Sequence, residues 1–489
     1  MKIVFFITLL TLVAVNLSQA QELKLNSIFQ NGMVLQQQSE ASIWGTSKPN
    51  ETITISGSWN LRRRTTKADN KGQWKTTIKT PKAGGPYQLL VSSPSKILTL
   101  KDVLIGEVWV CGGHINMQWK MRAFGVDHWA EDVAKANFPQ IRYCYIHQNL
   151  SLIPQANAKC NWSSCSPSNV LAYGAIPYFF GSKLHQELNV PIGLIAANCS
   201  ETSAQSWMSR DFLGKKFPEY KKVYNKQDTL VKKLPAIFTK KNKSIGLHSP
   251  SLTYNTMLHP IIPFTIKGVI WYQGKVNVSE PEQYRTLFPA LIQNWREEWG
   301  QGDFPFYYVQ IAPFHYRTVS KPAAFFREAQ TVALSEPNTG MVVTMDVGRP
   351  EHLSPKRKKP VGARLANLAL INDYEKTGLN PNSPFLNEFK VVGNSIQLTF
   401  HNAETGLASR DEKPLTHFTI AGSDQKFRPA TATIKDQQLI VSSPKVRKPI
   451  AVRFAWGNDD EPNLMNKAGL PAPSFRTDTW PIPTKKASN

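Results

Sequence analysis

The sequence predicts a β, α/β, β architecture: a parallel sheet covered by helices, with an all-β segment on either side. Two observations carry this reading. Short alternating strands separated by Gly/Pro/Asn turns fill the chain before residue 104 and again after 386, and between them strands rich in branched residues alternate with helical stretches. The size agrees, since 489 residues, 41 % of them hydrophobic, exceed what one core holds. Ten per cent aromatics argue against a disordered polyanion-binding tail, and five Cys in so long a chain do not form a disulfide scaffold.

The first element is an export signal. Met1-Lys2 precedes an apolar run from Ile3 to Val15, and Ser18-Gln19-Ala20 offers small residues to a signal peptidase. Asn16, Ser18 and Gln19 interrupt the run before the roughly 20 residues a membrane anchor needs. Residues 1–20 are therefore expected to be removed, leaving a soluble protein that is secreted or periplasmic, with no integral membrane segment. In an oxidising compartment Cys160 and Cys165 are close enough in sequence to bridge; Cys111, Cys144 and Cys199 read as buried or unpaired thiols.

Residues 21–103 form the N-terminal β module, with runs such as Thr52 to Ser56, Gln73 to Ile78 and Tyr87 to Val91. Residues 104–385 form the α/β domain. Its strands are expected over Leu104–Cys111, Gly193–Asn198, Lys267–Gln273, Phe306–Ile311 and Met341–Asp346, and its helices over Ala172–Leu188, Glu282–Trp299 and Arg357–Leu370. Residues 210–250 are a Lys-rich insertion. Residues 386–489 return to strands, with Gly393-Asn394 as a hairpin turn.

Ligands of an open α/β sheet sit beyond the carboxyl ends of its strands. Four turns are thereby singled out, and they should face one another: Gly112-Gly113-His114-Ile115-Asn116-Met117, Cys199-Ser200-Glu201-Thr202, Gln273-Gly274-Lys275-Val276-Asn277 and Asp346 to Pro355.

These turns, with Asn31 to Gln37, Gly106-Glu107-Val108-Trp109, Tyr254 to Pro260, Val269 to Gly274, Gly469 to Ala472 and Phe475 to Asp478, resemble the sialate O-acetylesterases of the SGNH hydrolase superfamily along nearly the whole chain. The resemblance implies a flavodoxin-like three-layer α/β/α hydrolase domain flanked by β-sandwich-like modules, and removal of acetyl esters from sialic acid or related sugars. Acyl transfer needs a nucleophilic hydroxyl, a histidine base, an acid to orient it and oxyanion donors. Where the family resembles Gly-Gln-Ser-Asn-Met this chain has Ile115 at the serine, and an isoleucine cannot attack a carbonyl. Where the family resembles Asp-Ile-His-Pro, Ser354 stands at the base position and His352 at the acid; Asp346 is another candidate for that acid. Glu201 replaces a glycine of the second turn and brings negative charge towards an oxyanion site. On the oxyanion side Asn277 and Gly274 are retained. His114, Asn116, Glu201, Gln273, Lys275, Asp346 and Lys356 are the expected lining of the cleft.

Other chemistries are weaker readings of the same residues. Cys111 with His114 makes a Cys/His pair, but Cys111 belongs to a strand end. Ser354 with His352 or His114 would have to attack from the other side of the pocket. His114, His352 and Glu201 suit zinc by type alone, and His259 sits in a structural His-Pro turn. No cofactor or metal is expected.

The formal charge of +23 is unevenly placed. Ten Lys against two acids lie between Lys215 and Lys243, and further runs are Lys356 to Lys359 and Arg62 to Arg64. An exported protein is a poor partner for nucleic acid, whereas a basic cleft mouth attracts an acidic or sialylated glycan. The expectation is a sialate O-acetylesterase-like protein with a degenerate site that binds carbohydrate without hydrolysing it. Two alternatives stay open: an active esterase with an unrecognised nucleophile and base, and a structural or partner-binding module that uses the β domains.

Overall fold

A computed structural model describes residues 22–60, 62–123, 129–231, 248–316 and 322–481. The expected signal, residues 1–20, lies outside the described residues, as do residues 232–247 of the Lys-rich insertion.

One strand, β1 (Ile97–Gly113), runs for 17 residues and belongs to two parts of the molecule. Its first half pairs antiparallel with Gly84–Ser92 and parallel with Val34–Gln36. Its second half lies between β4 (Ile192–Asn198) and β5 (Gly268–Tyr272), both parallel to it. With β2 (Phe138–Ile146), β3 (Cys160–Cys165), β6 (Phe306–Val309) and β7 (Thr339–Val342), the spatial order is β3-β2-β4-β1-β5-β6-β7. The strands expected from the sequence are present, although β1 starts earlier than Leu104 and β7 ends at Val342, short of Asp346. The sheet is mixed rather than purely parallel, because β3 joins its edge antiparallel to β2.

Alternation along β1 divides the interior. Val108 and Val110 face a layer with Leu287, Leu291 and Trp295 of α2 (Pro281–Trp299) and Phe326 of α3 (Pro322–Val332). Trp109 and Cys111 face Ile176 and Phe180 of α1 (Ala175–Leu188) and Leu365 and Ala369 of α4 (Lys358–Asn372). Each such buried aliphatic side chain contributes about 1.5–3 kcal/mol. At Gly362 a Cβ would stand 2.7 Å from the Cβ of Phe179, so glycine lets α4 settle on α1. The result is three layers.

The Cys160–Cys165 bridge does not form. Residues five apart on a strand point to opposite faces, and Cys160 and Cys165 accordingly belong to different layers. All five cysteines are buried and no disulfide joins them.

The remaining strands form antiparallel sheets. Before β1 they include Glu40–Thr46 and Gln73–Lys79; after α4 two four-stranded sheets follow. Phe385–Val392 and Ser395–His401 are joined by the expected Gly393-Asn394 turn, with Gly393 at φ +59°. The C-terminal strands are tied to α3 by Arg327, a fully buried guanidinium. Its Nη2 donates to the carbonyls of Ala455 (3.1 Å) and Gly457 (2.6 Å), and its Nε donates to Ser474 Oγ (2.7 Å). Burial holds its pKa down to about 10. Replacing it strands the buried Gly457 carbonyl and leaves the Ala455 carbonyl only the Ser474 hydroxyl at 2.8 Å, so Arg327→Met should cost about 2 kcal/mol, read as a lower urea midpoint; an unchanged midpoint would contradict this role.

Candidate functional site

The carboxyl end of β1 is held tightly against β5. A Cβ on Gly113, at φ +124°, would lie 2.4 Å from the Tyr272 carbonyl oxygen, so only glycine serves there. That contact sets the position of the next residues. His114 is buried and precedes a short helix, Ile115–Gln118. The second turn approaches from β4. Glu201 has φ +63°, a left-handed conformation that a glycine holds without strain, and its side chain is exposed. Its backbone N–H donates to His114 Nε2 at 2.5 Å, which requires that ring nitrogen to be unprotonated. Ser200 Oγ donates to Gln118 Oε1, also at 2.5 Å.

The third turn is internally bonded. Asn277, 1 % exposed, accepts at Oδ1 from the Ala204 N–H (3.0 Å) and Gln273 Nε2 (2.9 Å), and its Nδ2 donates to Gln205 Oε1 (3.1 Å). Tyr284 O–H donates to Gln273 Oε1 at 2.9 Å. Gly274, at φ +154°, admits Ile311 and Phe326 where a Cβ would clash. Lys275 is exposed.

Three of the four turns meet around one cavity. His114, Ile115, Asn116, Gln273, Gly274, Lys275 and Leu353 line it with Tyr272, Ile311, Ala312 and Tyr316, and it holds about 20 Å³. That is room for about one water. Ile115 also faces outward, where with Gln118, Trp119, Lys120 and Arg122 it lines an open, largely apolar groove of about 370 Å³. Burial and the neighbouring Arg122 hold the Lys120 ammonium below the usual lysine range.

The other expected residues of the fourth turn lie elsewhere. Asp346, His352 and Lys356 line a separate cleft of about 470 Å³ with Arg349, Arg357, Arg410 and Glu461, and Ser354 lines neither it nor the small cavity. Asp346 is held bidentate by Arg364 at 2.8 and 2.6 Å. The three residues considered for zinc do not converge, since His114 meets Glu201 through its amide and His352 lines the other cleft; among the described residues no three such side chains gather. Cys111 is wholly buried and burial pushes its thiol pKa far up, which leaves it a poor nucleophile. His259 Nδ1 is 2.9 Å from the Gln155 carbonyl oxygen, a structural contact.

Lys358 was legible only as part of a basic run, yet it is 1 % exposed. Its Nζ donates to Asn116 Oδ1 at 2.5 Å and lies 5.6 Å over the Trp119 ring. The available signal was helical spacing: Lys358, Val361 and Leu365 share the buried face of α4. Trp119, Arg349, Arg357 and Arg410 were not singled out as lining residues, because nothing in the sequence relates Arg410 to a turn some 60 residues upstream.

The sequence model for the family described as carbohydrate esterase, sialic acid-specific acetylesterase matches residues 105–371. The chain is 27 % identical to the sialate O-acetylesterase of Mus musculus, covering 93 % of each chain. It is also 27 % identical to that of Homo sapiens, covering 92 % of this chain and 91 % of the human one. Among solved structures, a carbohydrate acetylesterase from Xanthomonas citri superposes with a TM-score of 0.83 at 36 % identity, over 94 % of this chain and all of the other.

Burial lowers the Lys358 pKa from the ordinary 10.5 to about 7. Between those values the unfolded chain binds a proton that the folded one does not, so this residue makes stability rise with pH from about 7 to about 10.5. Lys358→Met should therefore raise the urea midpoint more at pH 6 than at pH 9; an equal gain at both would refute the assignment.

Proposed function

The chain belongs to the sialic acid-specific acetylesterase family of carbohydrate esterases, and from that premise we propose that it is an exported, non-hydrolytic member that binds an acidic or sialylated glycan. The observation that carries the loss of hydrolysis is the cavity beside Ile115. At about 20 Å³ it admits a water but not an acetyl group. The side chain where the family resemblance expects a serine is a hydrocarbon, and the turn amide that resemblance assigns to the oxyanion donates instead to His114 Nε2. Attack and oxyanion stabilisation both lack their groups. The retained Asn277 amide is bound to Gln205, Gln273 and Ala204, a structural use of the position.

Carbohydrate binding is supported by the open groove outside Ile115. Its half-buried Trp119 presents an apolar ring flanked by the hydrogen-bonding groups of Gln118, Lys120 and Arg122, the mixture of apolar wall and few polar groups that small-ligand sites use. Export is supported by the sequence of residues 1–20.

Purified protein should release no acetate from an O-acetylated sialic acid or a chromogenic acetyl ester; turnover that persists in Ile115→Ala would sink this reading. Restoring Ile115→Ser, Ser354→His and His352→Asp together should yield weak hydrolysis. Adding His114→Gln, which frees the Glu201 amide, should increase it. Intact-mass measurement of protein recovered from the exporting cell should place the mature N-terminus at Gln21, and a product retaining residues 1–20 would count against export by this signal.

A further inference from the structure

The first strand after α4, Phe385–Val392, is the edge of its sheet. Among the described residues it pairs with Ser395–His401 and with no other strand. The main-chain N–H and C=O groups on its outer side therefore have no ladder to join, an arrangement that invites pairing with another chain. From Asn387 to Val392 every residue is exposed. Phe389 stands opposite Leu398 and Val391 opposite Ile396; residues directly opposite one another share a face of the sheet, and Leu398 and Ile396 are wholly buried. The apolar inner face of this sheet thus runs out past its cover and leaves Phe389 45 % and Val391 46 % exposed. With Val392, three of the nine large hydrophobic side chains exposed among the described residues fall within four residues of chain.

A second observation says what covers this edge. Glu388 and Lys390 are two residues apart, hence on one face of the strand, and both are exposed. Among the described residues neither meets an opposite charge within its own chain. A lone Lys guards an edge against pairing, but a pair of opposite charges on one strand can match itself across a two-fold axis. Antiparallel pairing of two copies with Lys390 on that axis brings like charges together. With Val391 on the axis, Lys390 stands opposite Val392 and neither charge is matched. With Phe389 on the axis, Glu388 of each copy stands opposite Lys390 of the other, and the two Phe389 rings meet on the apolar face. The bulge between Leu386 and Phe389 ends the regular ladder beyond these pairs, so the contact is short and reversible.

We propose that Phe385–Val392 pairs with the same strand of a second copy of this chain, giving an isologous dimer with Phe389 at its axis. The charges favour this partner over a head-to-tail contact with the opposite edge, Thr431–Lys435. That strand exposes Ile434 but carries Lys435 as its only charge, so it offers Lys390 no acid, and a head-to-tail contact need not close. The dimer is independent of what the site around Ile115 binds.

Sedimentation velocity of the full mature chain, from about 1 to about 200 μM, should show a monomer–dimer equilibrium. Glu388→Lys and Lys390→Glu should each weaken it about tenfold or more, because each sets like charges opposite one another in the paired register. Mixed in equal amounts, the two variants should associate as the parent does, since the two cations of one copy then face the two carboxylates of the other. The double variant Glu388→Lys/Lys390→Glu should also associate as the parent does. These positions are exposed, so all three variants should keep the parent's melting temperature at low concentration. Ile434→Lys, on the opposite edge, should leave association unchanged. A parent chain that stays monomeric at the highest concentration overturns the proposal, as does association that both single variants retain or that Ile434→Lys abolishes. Failure of the mixture and of the double variant to recover association, with the variants folded, would overturn the Phe389 register and the pairing with it.

Discussion

The hydrogen-bonded ladder of β1 is the constraint on which the rest of the molecule depends. One continuous strand pairs with the N-terminal β module in its first half and forms the middle of the α/β sheet in its second. Displacing the module would break main-chain bonds along that strand, each costly to leave unmade in the interior. Side chains reinforce the junction: buried Glu107 accepts from Gln36 Nε2 (3.1 Å), Gln37 Nε2 (2.5 Å) and Tyr374 O–H (2.9 Å), joining the first module, the central strand and the segment just after α4. Because β1 ends in Gly112-Gly113, packed on Trp271, Trp295 and the Tyr272 carbonyl, the turn at residues 114–117 is delivered to the same place whatever chemistry it carries.

That separation of frame from chemistry means that the residues of the turns can vary without disturbing the fold. The packing of Trp109, Val110 and Trp271 between two helical layers does not involve Ile115 or Ser354. Buried polar groups nonetheless need partners, and the donors of the site have found them within the protein. His114 takes the Glu201 amide, Gln205 takes the Asn277 amide, and Asn116 takes the Lys358 ammonium. The cavity between them is correspondingly small. Positive charge, which would serve little in an acyl-transfer pocket of this size, is concentrated instead in the adjoining cleft.

Legibility from sequence followed the range of the interactions. Strands β4, β5 and β6 are short apolar runs and were readable from composition, as was the Gly393-Asn394 turn from its dipeptide. β2 and β3 were missed: Pro139 interrupts the start of one, and Cys160–Cys165 carries Asn and three consecutive polar or aromatic positions on an edge, paired through a bulge at Ser164/Cys165. Pattern rules are weakest on a half-exposed edge strand such as β3.

By itself the sequence determined the β, α/β, β order, the four turns at the strand ends, and the absence of a hydroxyl at residue 115 and an imidazole at 354, since these depend on residue type and local period. Only the tertiary structure decided which turns share a cavity, that His114 covers the Glu201 amide, that Lys358 is buried while Lys356 and Arg357 face a cleft, and that Arg410 stands opposite them. Those facts are set by strand order and by packing between segments far apart in the chain, and a distance between two side chains is not a property of either residue's neighbours in sequence.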